Sequence, residues 1–188
     1  MKNLKTIALA LVVAFTTATV AAQTKKIDVT KSAIKWVGKK VTGQHNGTVN
    51  FKDGSVTLKG KNLTAGTFTV DMNSLTATDL TGEYQGKLNG HLKSEDFFGT
   101  EKNPTATLVF KKVKAKGNNV YAVTANLTIK GKTKPVNFDL TVNGNTATTK
   151  FNVDRTKYDI KYGSGSFFDN LGDKAIANDF ELEVNIQF

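Results

Sequence analysis

From Lys26 to the C-terminus, apolar and polar residues alternate with a period of two, the signature of strands buried on one face. Ile34 and Trp36 are spaced this way, as are Val49 and Phe51, Val56 and Leu58, and Phe68, Val70 and Met72. Ala106, Leu108 and Phe110 follow, then Tyr121, Val123, Ala125, Leu127 and Ile129. Val136, Phe138, Leu140 and Val142 come next, then Phe151 and Val153, and last Phe180, Leu182, Val184, Ile186 and Phe188. The residues between them are mostly Thr, Lys, Asn, Asp and Glu, which suit a wet sheet face. The pattern predicts about eight or nine strands.

Turn chemistry decides how those strands connect. Asp53-Gly54 and Asn143-Gly144 each lie between alternating runs and predict tight hairpins, with looser turns at Lys116–Asn119 and Lys130–Lys132. Pro104 and Pro135 fall at strand starts, where a missing amide donor does least harm. Two long connections interrupt the meander: 73–103, with a short helix expected around Glu83 to Leu92, and the glycine-rich 155–175. Strands with a single apolar face need two packed sheets or one closed sheet. Nearest-neighbour hairpins favour closure, giving an all-β, antiparallel, up-and-down barrel of the lipocalin kind with one short helix.

The N-terminus does not belong to this pattern. Lys2 and Lys5 precede an apolar run from Ile7 to Phe15, and Val20-Ala21-Ala22 supplies small residues for cleavage. Residues 1–22 therefore read as a secretory signal peptide, and 23–188 as one domain destined for the periplasm or secretion. The apolar run is too short to span a bilayer, so no stable membrane insertion is expected. With no cysteine in 188 residues, disulfides, thiolate catalysis, Cys-ligated zinc and a lipidated cysteine are excluded. The net charge of +10 is almost all lysine, Arg155 being the only arginine, and the aromatics fall on the inward phase; both features argue against nucleic-acid binding. There is no G-x-S-x-G elbow, no HExxH and no phosphate-binding loop, so no enzyme activity and no cofactor are expected. The only other histidine, His45, lies far from His91 in sequence, and a His-only zinc site needs three such ligands, so no metal is expected either.

Connectivity also predicts where a ligand enters. In an up-and-down barrel alternate connections share one end, so 73–103, the Lys130–Lys134 turn and 155–175 lie on one rim. The opposite rim carries only tight turns, and the rim with long loops is the expected mouth. Trp36, Phe51, Phe68, Phe110, Tyr121, Leu127 and Phe138 are expected to line an apolar interior. Strand phase turns Lys134, Arg155 and Asn178 inward at the mouth, where with His91 they would meet a polar or anionic head group. Arg155 has a second reading, as a partner of Asp154, Asp159 or Asp179 that holds the long loop. His91 would end the helix and bond to backbone or head group. Phe97 and Phe98 would plug the rim or anchor their loop.

Several strings resemble the YceI-like family. The clearest is His91-Leu92-Lys93-Ser94-Glu95-Asp96-Phe97-Phe98, followed by Asn103-Pro104-Thr105-Ala106-Thr107. Leu127–Lys134, Asp154–Ile160 and Trp36 with His45-Asn46-Gly47 match in the family's order, although Gly99 stands where an aspartate is expected. The resemblance implies an exported, lipocalin-like barrel holding a polyisoprenoid or other long-chain amphiphile. The alternative is a solid-cored structural or interaction domain without a lumen. N-terminal sequencing of the protein recovered from the envelope or medium of its native host is expected to begin near Gln23; an uncleaved cytoplasmic chain would contradict the leader.

Overall fold

A computed structural model describes residues 21–188, so nearly all of the expected leader lies outside the described residues. The strands are β1 (Ala22–Lys26), β2 (Ala33–Lys40), β3 (Gly43–Lys59), β4 (Asn62–Ala77), β5 (Thr105–Gly117), β6 (Val120–Ile129), β7 (Lys132–Asn143), β8 (Thr146–Asp154) and β9 (Ile176–Gln187). One helix, α1 (Gly82–Lys93), lies between β4 and β5, where a short helix was expected. The strand order β3-β2-β9-β8-β7-β6-β5-β4, completed by a β3–β4 ladder, closes β2 to β9 into an antiparallel eight-stranded barrel. The ninth strand, β1, adds to the Ser55–Lys59 half of β3, while β2 takes the Gly43–Val49 half.

The Asp53-Gly54 hairpin is not formed. β3 runs straight through it with a bulge: Phe51 faces Val70, whereas Asp53 faces Thr69, so β3 holds one extra residue. The insertion shifts the phase, which is why odd-numbered Val49 and Phe51 and even-numbered Val56 and Leu58 are all buried. The real turn is Gly60-Lys61, with Gly60 at φ 62°. Pro135 lies inside β7, opposite Asn126, rather than at its start. Counting from the Lys130-Gly131 turn, it occupies a non-bonded pair, so its nitrogen faces β8. That side is open, because the β7–β8 ladder covers only Thr141–Asn143.

The interior has two storeys. Across the middle runs an aromatic chain: Phe51–Phe68 at 6.0 Å, Phe68–Phe110 at 5.6 Å, Phe110–Phe138 at 6.0 Å and Phe138–Phe151 stacked at 4.6 Å. Below it, toward the tight turns, Val56, Leu63, Val123, Leu140 and Ala147 fill the barrel. Two of these rings lie on bare backbone. A Cβ on Gly54 would stand 2.7 Å from the Phe68 ring, and one on Gly66 would stand 2.7 Å from Phe110. Nearer the mouth, a Cβ on Gly47 would collide with the Thr76 carbonyl and stand 2.6 Å from Trp36.

Gly47→Ala is therefore expected to lower unfolding free energy by about 1–3 kcal/mol through overpacking. Gly86→Ala, in α1 with open space around its Cα, should raise it by about 0.5–1 kcal/mol. Chemical denaturation of both variants checks the contrast; equal effects would contradict the packing described.

Candidate functional site

Above the aromatic floor the barrel holds an almost wholly apolar cavity of about 200 Å³. Trp36, Val49, Met72, Ala106, Leu127 and Ile129 form its walls, and it reaches the rim at Lys39, Lys40, His45 and Asp179. It lies at the end that carries the long connections, as the alternation of connections predicts. Its roof is α1, which presents Leu88, His91 and Leu92, one helical stripe, to the cavity. No residue of α1 is fully buried, so polar clamps hold it in place. Asn89 accepts from the Ala77 N–H at 2.8 Å, and Gln85 donates to the Ala77 carbonyl at 2.8 Å. At the start of the same connection Asp79 meets His45 Nδ1 at 2.8 Å and accepts from the Asn46 N–H at 3.1 Å. Burial opposes ionisation of Asp79, but these hydrogen bonds outweigh it and hold the carboxyl below its ordinary pKa.

Arg155 is buried beside the cavity, and its guanidinium is occupied by backbone. Nε donates to the Ala177 carbonyl at 2.9 Å, one terminal nitrogen to Ile160 at 2.8 Å and the other to Ile176 at 3.0 Å. The Phe97 ring lies 5.4 Å from its central carbon. Burial lowers the Arg155 pKa from the ordinary arginine value, and the Asp154 charge opposes that shift. None of the three expected carboxylates bridges it. Asp154 instead caps the turn at Thr156, and Asp159 pairs with Lys161 at 2.9 Å. Arg155 thus ties the end of β8 to the start of β9 across the 155–175 loop.

The structure divides the residues picked out from the sequence. Trp36, Leu127, His91, Phe97, Phe98 and Arg155 surround the cavity. Phe51, Phe68, Phe110, Tyr121 and Phe138 do not; all are buried, four of them in the aromatic floor, because strand phase sets inward direction but not height in the barrel. Lys134 is exposed beside the open β7–β8 seam, outside the cavity wall. Asn178 holds the long loop instead, accepting from Ser164 at 2.6 Å and donating to Ser166 at 2.8 Å. Sequence reading missed Tyr162, whose ring lies 4.5 Å from His91. It also missed Tyr158, whose buried hydroxyl has no partner. Burial, then the Asp154 charge, pushes the Tyr158 pKa up to about 12.

A closed antiparallel barrel with an apolar cavity under a helix and a long loop is a lipocalin-like barrel. Within that class the chain belongs to the YceI-like domain family, whose model matches residues 26–188. It is 40% identical over 90 residues to a UPF0312 protein of Pseudomonas aeruginosa, and 37% identical over 93 residues to protein YceI of Escherichia coli. These matches cover 48% and 50% of this chain and 44% and 46% of the relatives, so the chain spans about half the length of the curated relatives it matches. Among solved structures, Burkholderia cenocepacia BcnA aligns with a TM-score of 0.68 at 24% identity, covering 85% of this chain and 98% of that one. A polyisoprenoid binding domain from Saccharophagus degradans aligns with a TM-score of 0.57 at 16% identity, covering 89% and 97%. At those identities the two structures support the fold.

Arg155→Gln should cost about 2–4 kcal/mol of stability, since a neutral amide cannot serve all three carbonyls and buried acceptors are left unpaired. Hydrogen exchange should accelerate across the loop and the start of β9. Unchanged exchange there would contradict the tie.

Proposed function

We propose that the mature protein is an exported carrier that holds the tail of a long-chain amphiphile, of the polyisoprenoid kind, in the upper cavity without transforming it. The observation that carries this reading is the apolar space, open at the rim, above a solid floor. Membership of the YceI-like family and the printed description of the Saccharophagus neighbour as a polyisoprenoid binding domain support it. The secretory pattern of residues 1–22 supports a periplasmic or secreted location. The rival reading, a solid-cored interaction domain, describes the lower storey but leaves the upper one without a role.

Volume limits how much of a ligand is enclosed. At about 30 Å³ per small group, the cavity takes roughly seven carbons. These contribute about 5–6 kcal/mol gross at about 0.8 kcal/mol each. Association costs of about 4 kcal/mol or more consume most of that, so contacts at the rim must supply the rest of a useful affinity. A longer tail therefore extends through the mouth, past Lys39, Lys40 and Asp179.

Native mass spectrometry of protein purified from the envelope or medium of its native host should reveal a non-covalent lipid adduct. Ala106→Leu, which thrusts extra carbons into the cavity, should cut the bound fraction about tenfold while circular dichroism stays barrel-like. Wild-type protein that carries no lipid and takes up no added isoprenoid would overturn the reading.

A further inference from the structure

We propose that the ligand ends in an uncharged hydrogen-bonding group, such as an alcohol, seated on Nε2 of His91, and that Arg155 receives no anionic head group. This rests on the lipid-carrier reading and names the chemistry of the same site.

Among the described residues, two buried side-chain polar atoms lack a hydrogen-bond partner: His91 Nε2 and the Tyr158 hydroxyl. Only His91 belongs to the cavity wall. Buried polar groups are normally satisfied, and an orphan in an apolar surround is a standing cost that a partner would remove. The His91 ring is held by Phe97 at 5.4 Å and Tyr162 at 4.5 Å. Phe97 is buried, whereas Tyr162 is about half exposed. Tyr162 is thus the ring that can turn aside and admit a head group to Nε2.

The charge available at the site points the same way. Each guanidinium nitrogen of Arg155 already donates to a carbonyl, and Phe97 lies beside it. Those bonds take three of the five guanidinium N–H groups, so a phosphate would have to reach the remaining two on a buried side chain packed against Phe97 while losing its own hydration in an apolar cavity. Lys134 is exposed and outside the wall, and Lys39 and Lys40, which line the cavity at its rim, are exposed to solvent. A hydroxyl needs no counter-charge, and because it both donates and accepts it suits either tautomer of His91.

Three probes with one tail test this: farnesol, farnesene and farnesyl pyrophosphate, each competed against an environment-sensitive lipid dye. Wild type should bind farnesol about tenfold more tightly than farnesene, equivalent to about 1.4 kcal/mol, with the pyrophosphate no tighter than the alcohol. His91→Phe should erase the alcohol's advantage and leave farnesene within about twofold, while His91→Gln, which still donates and accepts, retains part of it. Independently of any variant, the His91 ring ¹⁵N signals should move with farnesol and stay in place with farnesene. Tightest binding by the pyrophosphate, or an alcohol advantage that survives His91→Phe, would overturn the assignment. Farnesene binding without head-group discrimination would overturn this inference alone. Failure of all three probes would overturn the carrier reading, and this inference with it.

Discussion

Phe110 lies against the bare backbone of Gly66, and Phe68 against that of Gly54. Those contacts let the two rings sink to the sheet and meet at 5.6 Å, forming the centre of a floor that continues to Phe51 on one side and Phe138 on the other. Side chains at the two glycine positions would hold the rings away from the wall and break the chain of contacts. Aromatic pairs add about 0.5–1.5 kcal/mol each beyond their buried area, so the layer is a stable partition. It separates a filled lower storey from an open upper one.

What the floor creates, the rim encloses by different means. The roof helix has no fully buried residue, and hydrogen bonds through Asn89 and Gln85 fasten it to the end of β4. The long loop is held by the Arg155 guanidinium on three carbonyls and by Asn178 between Ser164 and Ser166. Both devices are polar and local, and they leave the cavity wall apolar. A roof fastened by hydrogen bonds opens at lower cost than one packed into a core, which suits a site that must admit a long chain.

The barrel was legible because alternation reports which way a side chain points, and the position of the long connections reports which rim is the mouth. Height along the barrel is not written in the alternation. Phe68 and Leu127 share the inward phase, yet one lies in the floor and the other in the cavity wall. Asp53-Gly54 misled for a related reason. The same dipeptide suits a hairpin or a bulge, and the change of phase between Phe51 and Val56 was the sign that one residue had been inserted into a continuous strand. Arg155 was recognised as inward, but its carbonyl partners come from Ile160, Ile176 and Ala177, whose side chains carry no such signal. The Leu88, His91 and Leu92 stripe was readable from helical spacing and marks the roof.

The two-storey interior is tested most directly by methyl-resolved NMR during titration with a long-chain isoprenoid alcohol. Methyl signals of Ala106, Leu127, Ile129 and Met72, in the upper wall, should shift and show contacts to the ligand tail. Those of Val123, Leu140 and Ala147, below the floor, should stay where they are. Shifts spread evenly over both sets, or confined to the lower one, would contradict the partition on which the account depends.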